Sequence, residues 1–373
     1  MDIPLQEPHY PHADTLPEPG SSLEVAPGVR WLRMPLPFAL NHINLWLLRD
    51  EITGVEGTSQ GWTIVDCGID NEATRGHWER LFATQLDGLP VLRVIATHMH
   101  PDHIGLAHWL TGRWSRAAGA ADDGFDCRLW MSATDYAVAV LGSRADSSMG
   151  GDAAADFAAR HGLADTDAIA QIRERAGFFA SMVPRMPVAY HRMMDGDLVS
   201  AGSGATAAGR HPWRCLAGYG HAPEHIALYS EALGVLISGD MLLPRISTNI
   251  SVSHHEPEAD PLAMFLASLD RMRALPAETL VLPSHGKPFR GLHARIDQLF
   301  AHHAERLSEV MTACANAPHS AADLLPVLFR RPLDVHQTTF ALGEAIAHLN
   351  ALWHQGKLRR RADARGVWRF SPA

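Results

Sequence analysis

One short segment constrains this chain more than any other feature of its sequence. The run His98-Met99-His100-Pro101-Asp102-His103 holds four side chains that can bind metal, and it directly follows the continuous apolar stretch 91–97. A continuous apolar run predicts a strand that is covered on both faces. On a helix, His98 and His100 would point about 200° apart and could not share an ion, so we expect them on a loop leaving that strand.

The residue types in this segment also limit its chemistry. Imidazole nitrogens and a carboxylate suit zinc, and they also suit iron or manganese. Pro101 resists helix formation between the two histidines and the Asp-His pair that follows them. We therefore expect Asp102 and His103 to face a second ion.

Further potential ligands stand at the ends of later predicted strands. His221 follows the run WRCLA, Asp240 follows LGVLI, and His285 follows TLVLP, each with a glycine beside it or close by. Glycine lets the backbone approach a site closely, and α/β folds build their sites from loops at strand ends. We predict that these three residues meet the segment 97–103.

Strands alternate with helices along most of the chain, which predicts an α/β layered fold. Short apolar runs between turn residues predict strands from Val29 onward, and helical patterns cover 74–86 and 104–111, the latter ending at Gly112. Residues 142–186 interrupt this alternation with alanine-rich, helix-like stretches. We predict a helical insertion there, which could act as a lid.

The start of the chain and its cysteines indicate the compartment. Residues 1–22 are rich in Pro, Glu, Asp and Ser, which predicts a flexible leader, and they lack the features of a secretory signal. No run of 18 apolar residues occurs, so no membrane partner is expected. The four cysteines form no C-x-x-C pair, which favours buried thiols over disulfides. A cytoplasmic location is therefore expected.

The last part of the chain has a different charge. Predicted helices followed by a hairpin with its turn at 364–366 indicate a winged-helix unit over 315–373. Residues 320–373 carry a net charge of +4, whereas the whole chain carries −9, which leaves −13 for the remainder. A solvated or dimer-contacting basic face is the favoured interpretation of this asymmetry, and a face that binds phosphates is the alternative. Trp353 and Trp368 are candidates for a homodimer interface.

These motifs together resemble those of the metallo-β-lactamase-fold hydrolases, specifically their glyoxalase-II-like branch, over about residues 23–300. The pattern H-x-H-x-D-H, then His, Asp and His, is present in full. The resemblance implies an αββα sandwich of two mixed sheets, here a catalytic domain at 23–314. It implies a first metal ion bound by His98, His100 and His221, a second bound by Asp102, His103 and His285, and Asp240 bridging both. Asp66, in TIVDCG, would support the metal-binding loop without binding metal itself.

Differences from the family pattern narrow the function. Asp240 stands where true β-lactamases use cysteine, which argues against β-lactam cleavage. Asp240 and His285 are only 45 positions apart, which leaves no room for the inserted domain of the RNA-processing branch. The basic segment that binds glutathione in glyoxalase II is not recognisable in MLLPRISTN. The tail resembles the winged-helix extension of a β-lactamase-like subgroup that includes an animal mitochondrial endoribonuclease.

The expected activity is that of a dinuclear metal-dependent hydrolase. Two divalent ions, Zn²⁺ first and Fe or Mn as alternatives, would share a hydroxide that attacks a carbonyl or phosphoryl centre. Asp102 and Asp240 are the expected catalytic carboxylates, since either could orient this hydroxide. One open substrate class is a small-molecule thioester or ester with the insertion 142–186 over its acyl group. The other is RNA or another phosphodiester held by the basic tail.

A non-catalytic metal-binding scaffold is disfavoured, because a purely structural site needs no open position for water. Several further residues are candidates for substrate contact. They are Arg245, His254 with His255, Asn41 with His42 and Asn44, and the pair Phe178-Phe179, for which packing inside the insertion is favoured.

Overall fold

Two β-sheets packed face to face form the centre of the molecule. The computed structural model describes residues 7–54, 57–115, 126–144, 149–201 and 211–373. Within these ranges the first sheet has seven strands in chain order; β1 to β4 pair antiparallel, and β4 to β7 pair parallel. Its strands are β1 (Leu23–Ala26), β2 (Val29–Pro35), β3 (His42–Gly54), β4 (Gly57–Val65), β5 (Val91–Ile95), β6 (Arg128–Met131) and β7 (Tyr190–Arg192).

The second sheet has the order β12-β11-β10-β9-β8, with the parallel pair β11–β12 at one edge and antiparallel pairs elsewhere. Its strands are β8 (Leu198–Ala201), β9 (His211–Gly218), β10 (His225–Ser230), β11 (Val235–Gly239) and β12 (Leu280–Pro283). Every residue of β5, β10, β11 and β12 is buried, as expected of strands covered on both faces.

Helices cover both outer faces of the sheet pair. They are α1 (Glu72–Thr84), α2 (Pro101–Ile104), α3 (Ala107–Trp114), α4 (Ala133–Gly142), α5 (Gly151–Arg160), α6 (Thr166–Glu174), α7 (Phe178–Met182), α8 (Pro261–Met272), α9 (Leu292–Asn316), α10 (Leu325–Leu328) and α11 (Val335–His354). Short 3₁₀ turns occupy Arg175–Gly177 and Ala322–Leu324. No helix in the described part of the chain is long and apolar enough to cross a membrane.

Three apolar layers confirm the predicted αββα order. One layer lies between the sheets and includes Trp46 and Trp213. A second packs the first sheet against its helices around Trp78, and a third packs the second sheet against helices around Phe265. This third layer continues into α11, so the C-terminal helices share a core with the second sheet.

The segment after β5 differs in detail from the predicted pattern. Pro101 occupies the first turn of α2, where its missing N–H costs nothing, so it begins a helix as well as ending the loop. The helix predicted over 104–111 is divided at Gly105 and Leu106. Its second part, α3, runs through Gly112 to Trp114, because burial of Ala107 and Leu110 offsets the cost of about 1 kcal/mol of a glycine inside a helix.

The leader and the insertion are both packed against the body. His9 pairs its backbone with Arg290, and Lys287 donates to the carbonyl of Ala13 at 2.8 Å, so residues 7–22 are not the flexible leader that their composition predicts. Residues 1–6 lie outside the described residues. The described part of 142–186 is helical, as predicted, and the N–H of Ala322 donates to the carbonyl of His161 in this insertion.

The C-terminal unit contains the predicted hairpin. Strands β13 (Leu358–Ala362) and β14 (Trp368–Pro372) pair antiparallel, and Gly366 N–H donates to the Asp363 carbonyl in the turn between them. Helix α9 passes the predicted domain boundary at 314 without a break. Asp334 and Gln337 cap α11 reciprocally, which fixes where this helix begins.

Candidate metal centre

The loop after β5 presents its side chains from two kinds of backbone. His98 and His100 precede α2 on an extended segment, whereas Asp102 and His103 lie in the first turn of that helix. Residues two apart on the extended segment converge here, with His98 Nε2 and His100 Nδ1 2.8 Å apart. The expected loop geometry is therefore present.

Two groups of potential ligands meet at this loop. In each group the ligand atoms all lie within 4.8 Å of one another. The first group is His98, His100, His221 and Asp240, and the second is Asp102, His103 and His285. These are the seven residues that the sequence predicts as ligands.

Asp240 lies between the two groups. Its Oδ2 is 3.3 Å from His221 Nε2 in the first group and 3.7 Å from His103 Nε2 in the second. Its Oδ1 is 3.5 Å from His285 Nε2. One carboxylate therefore faces both groups, as a bridging ligand must.

The spacing and the partners of these atoms fit metal ions. Two ligands of a tetrahedral ion at about 2.1 Å are separated by about 3.4 Å, and His98 Nε2 lies 3.2 Å from His221 Nε2. His103 Nε2 and Asp240 Oδ1 are buried and have no hydrogen-bond partner. Buried polar atoms normally have one, so a cation is the missing partner that this donor set suits.

Hydrogen bonds from Nδ1 to backbone carbonyls fix the tautomers of two of the histidines. His221 Nδ1 donates to the Asn249 carbonyl at 2.7 Å, and His285 Nδ1 donates to the His42 carbonyl at 2.8 Å. Each bond holds the proton on Nδ1 and leaves Nε2 free to bind metal. His98 Nδ1 similarly lies 3.0 Å from Thr97 Oγ1.

Asp66 supports the loop without joining either group. Its Oδ1 accepts from Thr97 N–H at 2.8 Å, and its Oδ2 lies 2.9 Å from His103 Nδ1. Burial opposes a charge on His103, but Asp66, with the two ligand carboxylates, raises the pKa of this histidine well above its usual value. Asp66 adopts a φ of 63°, so it occupies the left-handed region that favours glycine.

Two further residues hold the site and were missed from the sequence. Asp135 accepts from Met99 N–H at 2.8 Å and from Glu224 N–H at 2.6 Å, so it joins the first metal loop to the loop of His221. Its sequence signal, Ser-x-x-Asp, indicates a helix start, which Ser132 does provide. His225 accepts from Asp240 N–H at 3.2 Å, and no motif marks it.

Gly239 explains how His225 fits. A Cβ at Gly239 would lie 2.2 Å from His225 Nε2, and the φ of 54° also favours glycine. The His225 ring stacks on His98 with centroids 4.9 Å apart. Because Gly239 has no side chain, its backbone can approach His225 closely. The next residue, Asp240, therefore lies beside the stacked rings of His225 and His98.

The predicted substrate contacts are placed differently. Asn41 Oδ1 lies 2.9 Å from His42 Nδ1, and His42 Nε2 accepts from Gly286 N–H at 3.0 Å, so both residues position the loop of His285. Asn44 donates to the Pro283 carbonyl at 2.8 Å, which also supports this loop.

Arg245 is exposed beyond Asp240. The ring of His254 lies 4.1 Å from that of His255, and neither belongs to the two ligand groups. Phe179 packs in the core beside the first sheet, as favoured, whereas Phe178 is partly exposed.

Family models match both parts of the chain. The model of the metallo-beta-lactamase superfamily matches residues 43–125 and 137–285. The model of the metallo-beta-lactamase-like C-terminal domain matches residues 307–373. A curated relative, the probable metallo-hydrolase YqjP of Bacillus subtilis, is 23% identical over 86% of this chain and 91% of its own length.

Solved structures share the whole architecture. A β-lactamase domain protein from Burkholderia ambifaria is 55% identical, with 98% of each chain covered and a TM-score of 0.87. The metallo-beta-lactamase family protein TTHA1429 from Thermus thermophilus is 27% identical, with 94% of this chain and 100% of that one covered and a TM-score of 0.70.

Proposed function

The chain belongs to the metallo-beta-lactamase superfamily of metallo-hydrolases, and from that premise we propose that it is a dinuclear metal-dependent hydrolase of small-molecule thioesters or esters. The observation that carries this proposal is the position of Asp240 between the two ligand groups. Zn²⁺ is the proposed metal, with Fe and Mn as the alternatives, because imidazole and carboxylate ligands suit all three.

The metal ions and the protein side chains would have different roles in the reaction. Two divalent ions in these groups would supply a nucleophilic hydroxide at neutral pH and neutralise negative charge on the substrate oxygen. Hydrolysis would join a water oxygen to the acyl carbon and break the bond from that carbon to sulfur or oxygen; one proton of the water would go to the departing thiol or alcohol and the other to solvent. Asp102 and Asp240 offer carboxylate oxygens that can orient the nucleophile. Asp102 is the more exposed of the two, at 19% of its side chain against 10%, so it faces the solvent side.

Charge and pairing favour a small substrate over RNA. Arg360 pairs with Glu258 and stacks between Trp353 and Trp368, at 4.3 and 4.4 Å from the ring centroids. Arg369 pairs with Asp363 at 3.1 Å. These arginines already have intramolecular partners, and residues 1–319 carry a net charge of −13.

The proposal also includes the family branch, the winged-helix unit and the homodimer. We place the chain nearest the glyoxalase-II-like branch because a carboxylate, Asp240, stands where β-lactamases have cysteine. We also propose that 315–373 is a winged-helix unit, which the helices before the β13–β14 hairpin support. A homodimer through Trp353 and Trp368 stays a prediction.

Thiol release from a panel of acyl-glutathione and acyl-CoA thioesters tests the proposal. The wild type should turn over at least one thioester and hold two metal ions per chain by elemental analysis. Asp240→Ala should lose a metal ion and most of the activity, whereas the exposed control Asp126→Ala should keep both. Full activity with two bound ions in Asp240→Ala would refute the proposed role of Asp240 in a dinuclear hydrolase.

One observation favours the nuclease alternative. Lys357, Arg359 and Arg361 alternate along the start of the hairpin and are exposed. If this face grips RNA, the logarithm of the binding constant should fall steeply and linearly with the logarithm of salt concentration. Weak, salt-insensitive RNA binding would remove this alternative.

A further inference from the structure

Four rings from three separate segments meet at one place on the surface. The His336 ring, on α11, lies 5.8 Å from Phe38 in the β2–β3 loop and 5.9 Å from Phe178 on α7, measured between centroids. It also lies 4.9 Å from Phe340 on α11. His336 thus joins the rings into one aromatic cluster.

Part of the aromatic cluster is exposed to solvent. Phe178 is 36% exposed and Phe340 is 48% exposed. Leu40, in the same loop as Phe38, is 37% exposed. Large apolar side chains grouped at a surface indicate a binding site more often than isolated ones do.

Each segment of the cluster also touches a residue that holds the proposed metal centre. The Phe38 loop leads into His42, whose carbonyl accepts from His285. Helix α7 packs on α2, the helix of Asp102 and His103. The carbonyl of Gly343 on α11 accepts from Val252 N–H at 3.1 Å, next to the stretch that orients His221.

We propose that the exposed faces of Phe178 and Phe340, with Leu40 of the Phe38 loop, bind the apolar acyl chain of the substrate. The proposal rests on the proposed function and names the substrate class: thioesters or esters of acids with several carbons. The two rings come from the insertion and from the C-terminal unit, so both additions to the sandwich determine specificity. His336 is a positioning residue for the rings.

An acyl-chain series tests this subsite. Each methylene buried against the rings is worth about fourfold in kcat/KM. With acyl-CoA substrates from two to twelve carbons, the wild type should rise by about that factor per methylene until the subsite is full. The Phe178→Ala/Phe340→Ala double variant should lose this rise, so that its kcat/KM stays level from the two-carbon to the twelve-carbon substrate. The control Leu198→Ala, another exposed apolar residue on β8, should follow the wild type.

A second measurement separates the subsite from the chemistry. Calorimetry should give tighter binding of longer fatty acids to metal-depleted wild type, and the double variant should show no such trend. A chain-length rise that persists in the double variant would overturn the subsite and leave the proposed function standing. A binding trend without metal-dependent turnover would keep the subsite and overturn the thioester or ester hydrolase assignment.

Discussion

Asp135 joins the loop of Met99 to the loop of Glu224, beside the backbone hydrogen bond from Ile226 N–H to the Thr97 carbonyl, so its removal tests how the proposed metal centre is held. Its carboxylate accepts two backbone N–H groups, from Met99 at 2.8 Å and Glu224 at 2.6 Å. A hydrogen bond to a charged group contributes about 1.5–3 kcal/mol. Asp135→Ala leaves both donors unpaired, so we expect the free energy of unfolding to fall by about 3–6 kcal/mol.

The amide variant should have a smaller effect. Asp135→Asn keeps one acceptor oxygen and turns an NH₂ group towards the other N–H, so about half of that loss is expected. Urea unfolding in the presence of a chelator measures both values without a contribution from bound metal. Equal destabilisation by the two variants would refute the reasoning from two separate hydrogen bonds.

Metal affinity gives an independent measure of the same residue. Partners that orient metal ligands typically cost about 10–100-fold in affinity when they are lost. Competition titration with a chromophoric chelator should show this loss for Asp135→Asn. The matched control is Asp50→Asn, a buried carboxylate bonded to Arg93 and Thr63 away from the ligands, which should lower stability and leave metal affinity unchanged.

The remaining predictions concern stability and metal binding. Burial raises the pKa of Glu344 from 4.5 to about 7, against the effect of Arg306. Its stabilising contribution is therefore present below about pH 4.5 and lost as pH rises to 7, so the unfolding free energy of wild type should fall by about 3 kcal/mol relative to Glu344→Gln over that range. A flat difference would contradict the burial argument. Gly239→Ala should displace His225 and abolish metal binding by elemental analysis, since the new Cβ would lie 2.2 Å from its Nε2. Phe370→Ala, at a fully buried ring, should cost about 3–5 kcal/mol in urea unfolding; a change below 1 kcal/mol would contradict that ring's place in the core.

The potential ligands could be predicted because their spacing is local and their chemistry narrow. His98, His100, Asp102 and His103 lie in one segment, and His221, Asp240 and His285 each end an apolar run. The layered fold could be predicted for a similar reason, since apolar runs separated by turn residues mark buried strands.

Asp66 was predicted as a supporting residue, but the other supporting residues could not be predicted, because long-range packing places them. Asp135 is 36 positions from Met99 and 89 from Glu224, and nothing local indicates that its oxygens bond to both. The role of His42 could not be predicted for the same reason, since its carbonyl accepts a hydrogen bond from His285, which is 243 positions away. The docking of residues 7–22 on Lys287 and Arg290 was missed because composition indicates a tendency to disorder and carries no information on tertiary contacts.

The position of β14 bears on how the chain is synthesised. Phe370 is fully buried, and its backbone pairs with His319, so the last strand completes the core that the second sheet shares with α11. A ribosome makes every proposed metal ligand by residue 285, yet Gly343 and Phe370 emerge much later. The carbonyl of Gly343, which holds the stretch next to Asn249, is therefore absent from the nascent chain when the ligands first appear. The proposed metal centre therefore gains its full support only after residue 343 has been synthesised.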